Sequence, residues 1–116
     1  MGLLLASGSD YEGAWLWDVK TGKAVLGLPV RNGVTSVVFS PDGSLLAFGM
    51  NTGNTAELWD VGTGQLIATL LGHTIQVTSL AFSPDGFLLA SGGFEGVIRL
   101  WAIPSAQTSP TVTQTP

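Results

Sequence analysis

Trp17, Trp59 and Trp101 stand 42 residues apart, twice over. Each follows a leucine, and each is preceded by a Leu-Leu-Ala triplet: Leu4-Leu5-Ala6, Leu45-Leu46-Ala47 and Leu88-Leu89-Ala90. Other landmarks keep the same beat. Val34 to Gly43, ending in Ser-Pro-Asp-Gly, returns 43 residues later as Val77 to Gly86, and Thr21-Gly22-Lys23 returns as Thr63-Gly64-Gln65. A fixed period of this length means stacked units, none of which buries its apolar faces alone.

Within each unit the apolar runs are short and rich in Val, Leu and Phe. Turn residues bound them, so they read as buried strands and not as helices. Leu3–Gly8, Gly13–Asp18 and Ala24–Leu28 form one group. Val34–Phe39, Leu45–Gly49, Thr55–Trp59 and Leu66–Leu70 form a second, and Val77–Phe82, Phe87–Gly92 and Val97–Ala102 a third. In Ser-Pro-Asp-Gly, Pro presets the first central residue of a turn, Asp suits the second and Gly accepts positive φ. Asp18 and Asp60 open a second kind of turn that closes on Thr-Gly.

Three copies of Leu-Ala…Leu-Trp at constant spacing, two Ser-Pro-Asp-Gly turns and Gly72-His73 together resemble the WD-repeat β-propeller family over residues 3–103. The resemblance implies an all-β fold of antiparallel four-stranded blades around a channel, without significant helix. The three groups are then about two and a half blades, ten or eleven strands. The first lacks its innermost strand, and Thr111-Val112-Thr113 is the candidate outer strand of the last, an edge position where Pro110 is tolerated. A closed propeller needs at least about four blades, so the chain reads as a piece of a longer propeller or a truncated product. Eleven strands do not divide into whole blades, which argues against a gapless ring of copies. Residues 104–116, Ser/Thr/Pro-rich and uncharged, read as a linker or disordered end.

Charged residues are 10% of the chain, against an ordinary share of about 25%, and mean hydropathy is +0.40. A chain this apolar with open blade faces and strand edges is expected to self-associate. The net charge of −4, with four Lys and Arg, disfavours nucleic acid as a partner. No run approaches the roughly 18 apolar residues of a membrane helix. Met1-Gly2-Leu3-Leu4-Leu5 has neither the basic flank nor the apolar length of a signal peptide. Zero Cys removes disulfide and thiolate chemistry and leaves the compartment open. A cytoplasmic location is favoured, with export left open by the tail.

Reactive groups are few. His73 is the only histidine. A catalytic reading would need a nucleophile and an acid beside it. The resemblance instead implies a buried hydrogen-bond chain of His73, Ser91, Glu95 and Trp101. Glu95 stands where the family usually has Asp. The other repeats break this chain: Val30 or Arg31 replaces the histidine, Phe48 the serine and Tyr11 the acid before Trp17. A buried network is best complete or absent, so at most one blade is expected to carry it. One His, no Cys and scattered carboxylates offer no metal-ligand spacing. No phosphate loop is present. The expectation is therefore no catalytic residue, no cofactor and no metal.

What remains is surface. The resemblance places recognition on one rim, here Asp10–Gly13, Pro29–Gly33, Met50–Asn54, Gly72–Gln76 and Phe94–Gly96. Tyr11, Arg31, Met50 and Phe94 are the candidate anchors, since interfaces favour aromatics, Met and Arg. Trp15, Glu57 and Arg99 hold equivalent places two before each repeat Trp. Trp15 and Arg99 join the candidates. The expected function is a non-enzymatic scaffold for protein or peptide partners, alongside the missing blades. The alternative is an accessory sensor in a larger kinase, NTPase or protease.

Overall fold

The computed structural model describes residues 3–9, 13–28, 33–51 and 54–103, and the backbone of 113–115. Its strands are β1 (Leu4–Ser9), β2 (Gly13–Asp18), β3 (Ala24–Leu28), β4 (Val34–Phe39), β5 (Leu45–Met50), β6 (Ala56–Asp60), β7 (Gln65–Leu70), β8 (Val77–Phe82), β9 (Leu88–Gly93), β10 (Ile98–Ala102) and β11 (Thr113–Thr115). There is no helix among the described residues. The strands form three antiparallel sheets, in the orders β1-β2-β3, β4-β5-β6-β7 and β8-β9-β10-β11. These are blades of an incomplete propeller, the first with three strands among the described residues. The fourth strand of the last blade lies at Thr113–Thr115, overlapping the expected Thr111–Thr113 by one residue; 111 and 112 fall outside the described residues.

Pairing repeats as the sequence does. Trp17 sits opposite Leu5, Trp59 opposite Leu46 and Trp101 opposite Leu89. A register shift falls between Leu16 and Trp17 in the first blade and between Leu58 and Trp59 in the second. Another falls between Val34 and Ser36, and again between Val77 and Ser79. Such bulges re-aim side chains and add twist, so the blades share their local geometry as well as their order.

The turns form by the chemistry their residues dictate. Asp42 Oδ1 accepts from the Ser40 hydroxyl at 2.8 Å and the Ser44 amide at 2.9 Å, and Gly43 takes a φ of 77°. Asp85 repeats this with Ser83 Oγ at 2.6 Å and the Phe87 amide at 3.0 Å, Gly86 having a φ of 79°. These hydrogen bonds hold both carboxyls below their ordinary range.

Alternation along each strand gives every blade two faces. Leu46, Phe48, Met50 and Trp59 of the middle blade meet Ala14, Leu16 and Leu28 of the first. Ala47, Ala56, Leu58 and Leu70 on its other face meet Leu89, Trp101 and Ile103 of the last. The core is therefore two inter-blade seams. Inner strands cross-link them: the Thr35 hydroxyl donates to the Val77 carbonyl.

A close approach fixes the end of the second seam, where β5 finishes and β8 begins. A Cβ on Gly49 would lie 2.9 Å from Ser36 Oγ, 3.0 Å from Val77 Cγ1 and 3.1 Å from Thr35 Oγ1. Gly49→Ala is expected to overpack this point and cost about 1–3 kcal/mol, read as a lower denaturation midpoint in urea. An unchanged midpoint would mean that β4 and β8 do not approach β5 this closely.

Candidate functional site

The loop before β8 (Leu71–Gln76) and the loop between β9 and β10 (Phe94–Val97) meet on one rim. The Phe94 amide donates to the Gln76 carbonyl at 3.0 Å. Asn54, at the corresponding β5–β6 turn of the middle blade, reaches across with Nδ2 donating to the Thr74 carbonyl at 3.2 Å. Asn54 has a φ of 57°, which Asn tolerates better than most residues.

Beneath this rim lies a four-residue relay. The indole N–H of Trp101 donates to Ser91 Oγ at 2.8 Å, and Ser91 Oγ lies 2.7 Å from His73 Nε2. His73 Nδ1 faces both oxygens of Glu95, at 3.2 and 3.3 Å. An ionised carboxylate only accepts, so Nδ1 donates to Glu95; an indole only donates, so Ser91 Oγ accepts from Trp101 while it shares a hydrogen bond with Nε2. Ser91 is fully buried, and His73 and Trp101 nearly so. Every polar atom in the relay thus has a partner, the condition under which a buried network stabilises.

Glu95 reaches further than an aspartate would. One carboxylate oxygen also accepts from the Thr74 amide at 2.8 Å and from its hydroxyl at 3.2 Å. Room for the longer side chain comes from Gly93, where a Cβ would stand 1.6 Å from Glu95 Oε1 and 2.6 Å from His73 Nδ1. Desolvation pushes the Glu95 carboxyl up. The Thr74 amide, the His73 hydrogen bond and the His73 charge outweigh it and bring it down to about 2. A lowered carboxyl adds stability that is fully present above its ordinary value of 4.5 and is lost as pH falls through about 2. Asp42 and Asp85 act with the same sign. Urea midpoints of the native chain are expected to fall across this window, and Glu95→Gln to flatten part of the fall. An identical slope in the variant would show that Glu95 is not held in this way.

The other two repeat indoles are also satisfied, one by a serine and one by a glutamate. Trp17 Nε1 donates to Ser7 Oγ at 2.9 Å, as in the last blade but without a histidine behind it. Trp59 Nε1 donates to Glu57 Oε1 at 3.0 Å. Phe48, which takes the serine's place, meets Trp59 edge-on at 6.4 Å and 72°. An aromatic contact and a neighbouring carboxylate replace the relay there.

The candidate anchors divide. Phe94 is 71% exposed on the rim, and Leu71 and Ile75 are exposed on the adjoining loop. Tyr11 and Arg31 lie outside the described residues, as do 10–12, 29–32 and 52–53 of the candidate rim segments. Met50 is corrected: it is fully buried in the first seam, because β5 runs one residue further than expected and alternation turns the side chain inward with Leu46 and Phe48. Trp15 stands on the outer face of the first blade, not on the rim. Its ring lies 6.4 Å from that of Trp17, and a Cβ on Gly27 would come within 3.0 Å of it. Arg99 lies half-buried over Gly72, whose added Cβ would be 3.2 Å from Arg99 Cδ and Nε. Thr74 and Asn54 were not singled out from sequence. The one signal for Thr74 was Glu95 itself, whose extra length needs a further partner.

His73 has both ring nitrogens committed inside the protein and is not a free base. Two hollows of about 440 and 470 Å³ lie along the opposite rim, on either side of the Asp42 turn. Their polar lining is the turn-forming Ser and Asp side chains already engaged in turn hydrogen bonds. Among the described residues, no group of three or more His, Asp or Glu side chains is placed to hold a metal.

Comparison with known proteins agrees with this geometry. The family model described as WD domain, G-beta repeat, matches residues 24–60 and 64–102. WD repeat and SOCS box-containing protein 1 of Homo sapiens is 39% identical over 101 residues, covering 85% of this chain and 24% of that protein. Guanine nucleotide-binding protein subunit beta-5b of Danio rerio is 36% identical over 100 residues, covering 84% and 25%. The chain thus spans about a quarter of the length of the curated relatives it matches. The crystal structure of the computationally designed Ika4 protein superposes with a TM-score of 0.76 at 27% identity, covering 87% of this chain and 61% of that one. Repeat, register and blade order together place this chain in the WD40 repeat family, whose members are typically protein-interaction scaffolds.

Proposed function

We propose that this chain is a non-enzymatic interaction module that presents its rim loops to a protein or peptide partner. The observation that carries this reading is the Phe94 rim. An aromatic side chain and the neighbouring Ile75 are exposed on two loops tied together by Phe94–Gln76 and braced from below by the His73–Glu95–Thr74 bonds. Exposed apolar side chains on a rigid frame bind with little ordering cost. Site chemistry, not fold alone, must carry function, and the reactive groups here are spent on structure. Tyr11 and Arg31, which lie outside the described residues, are further candidates from the sequence alone.

The test is selection of peptides from a display library on the immobilised chain, followed by rebinding to Phe94→Ala, Ile75→Ala, Tyr11→Ala and Arg31→Ala. Truncating a central anchor should weaken binding by about tenfold or more. Peptides that bind all four variants as tightly as the native chain would remove the rim assignment. A second reading, an accessory part of a larger protein, draws on the span of only 24% of a relative whose name couples WD repeats to a SOCS box.

A further inference from the structure

Two buried side-chain polar atoms lack a hydrogen-bond partner among the described residues, the Ser36 hydroxyl and Nε of Arg99, and only the second belongs to a charged group. Arg99 has no ion pair among the described residues either. Its place is set by the strand. Arg99 pairs with Ser91 across β9 and β10 and shares a face with Trp101, so its side chain enters the seam between the middle and last blades. Gly72, at the start of the Leu71–Gln76 loop, receives the guanidinium: an added Cβ there would stand 3.2 Å from Cδ and Nε and 3.4 Å from Cζ. Nε alone is shut off from water. The side chain as a whole stays half-exposed, so its terminal nitrogens open toward solvent. No neighbour uses this charge. In the middle blade the equivalent Glu57 accepts from the Trp59 indole. Arg99 is a donor and cannot, and Trp101 already has Ser91. Glu95, the acid of the adjoining rim loop, is committed to His73 and Thr74.

We infer that Arg99 takes a carboxylate of the rim's peptide partner, from an aspartate or glutamate side chain; this rests on the peptide-binding reading above. A guanidinium already stripped of part of its water gives up less hydration on pairing. Its planar fork holds a carboxylate through two parallel hydrogen bonds. Phosphate groups are met by clusters of arginine. Here a single guanidinium acts in a chain of net charge −4, which suits a ligand group of one negative charge. The fold also sets the spacing. The Gly93 amide donates to the Val97 carbonyl at 3.0 Å and closes the β9–β10 loop that carries exposed Phe94. Arg99 lies two residues along the strand from Val97, about 7 Å at the strand rise. An extended peptide with an apolar side chain on Phe94 and Ile75 therefore reaches Arg99 with an acid about two or three residues away. The rim then reads an apolar–acidic pair and not an apolar residue alone.

The experiment is selection of random peptides on the immobilised full chain, scored for Asp or Glu two or three residues from an aromatic or aliphatic residue. Enrichment of that pair is expected. Replacing the acid by its amide in a resynthesised peptide should weaken binding to the native chain about tenfold. The same replacement should change nothing on Arg99→Gln, because the partner of the acid is already gone. Arg99→Glu should prefer the peptide whose acid is changed to lysine, a reversal that a purely structural arginine would not produce. If the glutamate variant does not fold, Arg99→Gln and the peptide-side change on the native chain carry the test. Peptides that depend on Phe94 but show no acid enrichment, or lose nothing with the amide, would overturn the carboxylate site and leave the rim reading standing. Acid-dependent peptides indifferent to Phe94→Ala and Ile75→Ala would keep the Arg99 site and sink the rim reading. Phosphoserine in place of the acid, if bound tenfold tighter, would overturn the assignment to a carboxylate. A library that yields no binder would overturn both readings.

Discussion

Phe48→Ala is expected to cost about 3–5 kcal/mol, the range for removing a large aromatic side chain from a closed core. Phe48 is fully buried in the seam between the first two blades, edge-on to Trp59. Its truncation leaves a void walled by two sheets whose positions are set by strand pairing, so collapse around the gap is limited. Phe48→Ser makes the comparison informative. Serine stands at the matching positions 7 and 91, where it accepts the repeat indole. If hydrogen-bond repetition governed stability, Phe48→Ser would be tolerated. Seam filling predicts instead that it is at least as damaging as alanine, since Trp59 already has Glu57 and no histidine lies behind. Chemical denaturation of the two variants decides between these outcomes.

Ser91→Ala comes next, at about 2–4 kcal/mol. It removes one hydroxyl and orphans two buried groups, the Trp101 indole N–H and His73 Nε2. Each unsatisfied buried group costs about 1–3 kcal/mol. Ser7→Ala is the internal control: the same indole bond, on a partly open face and with no histidine attached. Its cost should be about 1 kcal/mol or less. Equal losses at 7 and 91 would mean the relay adds nothing beyond one serine–indole bond. A difference that disappears when Glu95→Gln is added to both would locate the excess in the acid end of the relay.

Much of this architecture is legible in the sequence because the repeat fixes blade order and the turn residues fix strand ends. Ser-Pro-Asp-Gly predicts where β4 stops and where β5 starts, and Asp18 and Asp60 mark the ends of β2 and β6. The errors fall where side chains and turns interact. Met50 reads as a loop anchor beside Asn51. Its amide instead donates to the Thr55 carbonyl at 3.0 Å, and Val34 pairs with it across a bulge, drawing it into β5. The alternation Leu46, Phe48, Met50 held that information. Trp15 reads as a rim aromatic because family spacing gives its position along the strand and not the state of the face it occupies. Which face lacks a neighbour emerges only when equivalent positions are compared in three dimensions. The length of Glu95 looks like a defect in one dimension. In space, Gly93 makes room for the side chain and Thr74 supplies a donor.

The central claim is that the three tryptophans mark blades laid side by side, each shielding the next. Nuclear Overhauser contacts from the ring protons of Trp59 and Trp101 in the intact chain test it most directly. The fold predicts contacts from Trp59 to the first-blade cluster of Ala14, Leu16 and Leu28, and from Trp101 to the middle-blade cluster of Ala47, Ala56 and Leu58. Rings that show contacts only within their own repeat would contradict it.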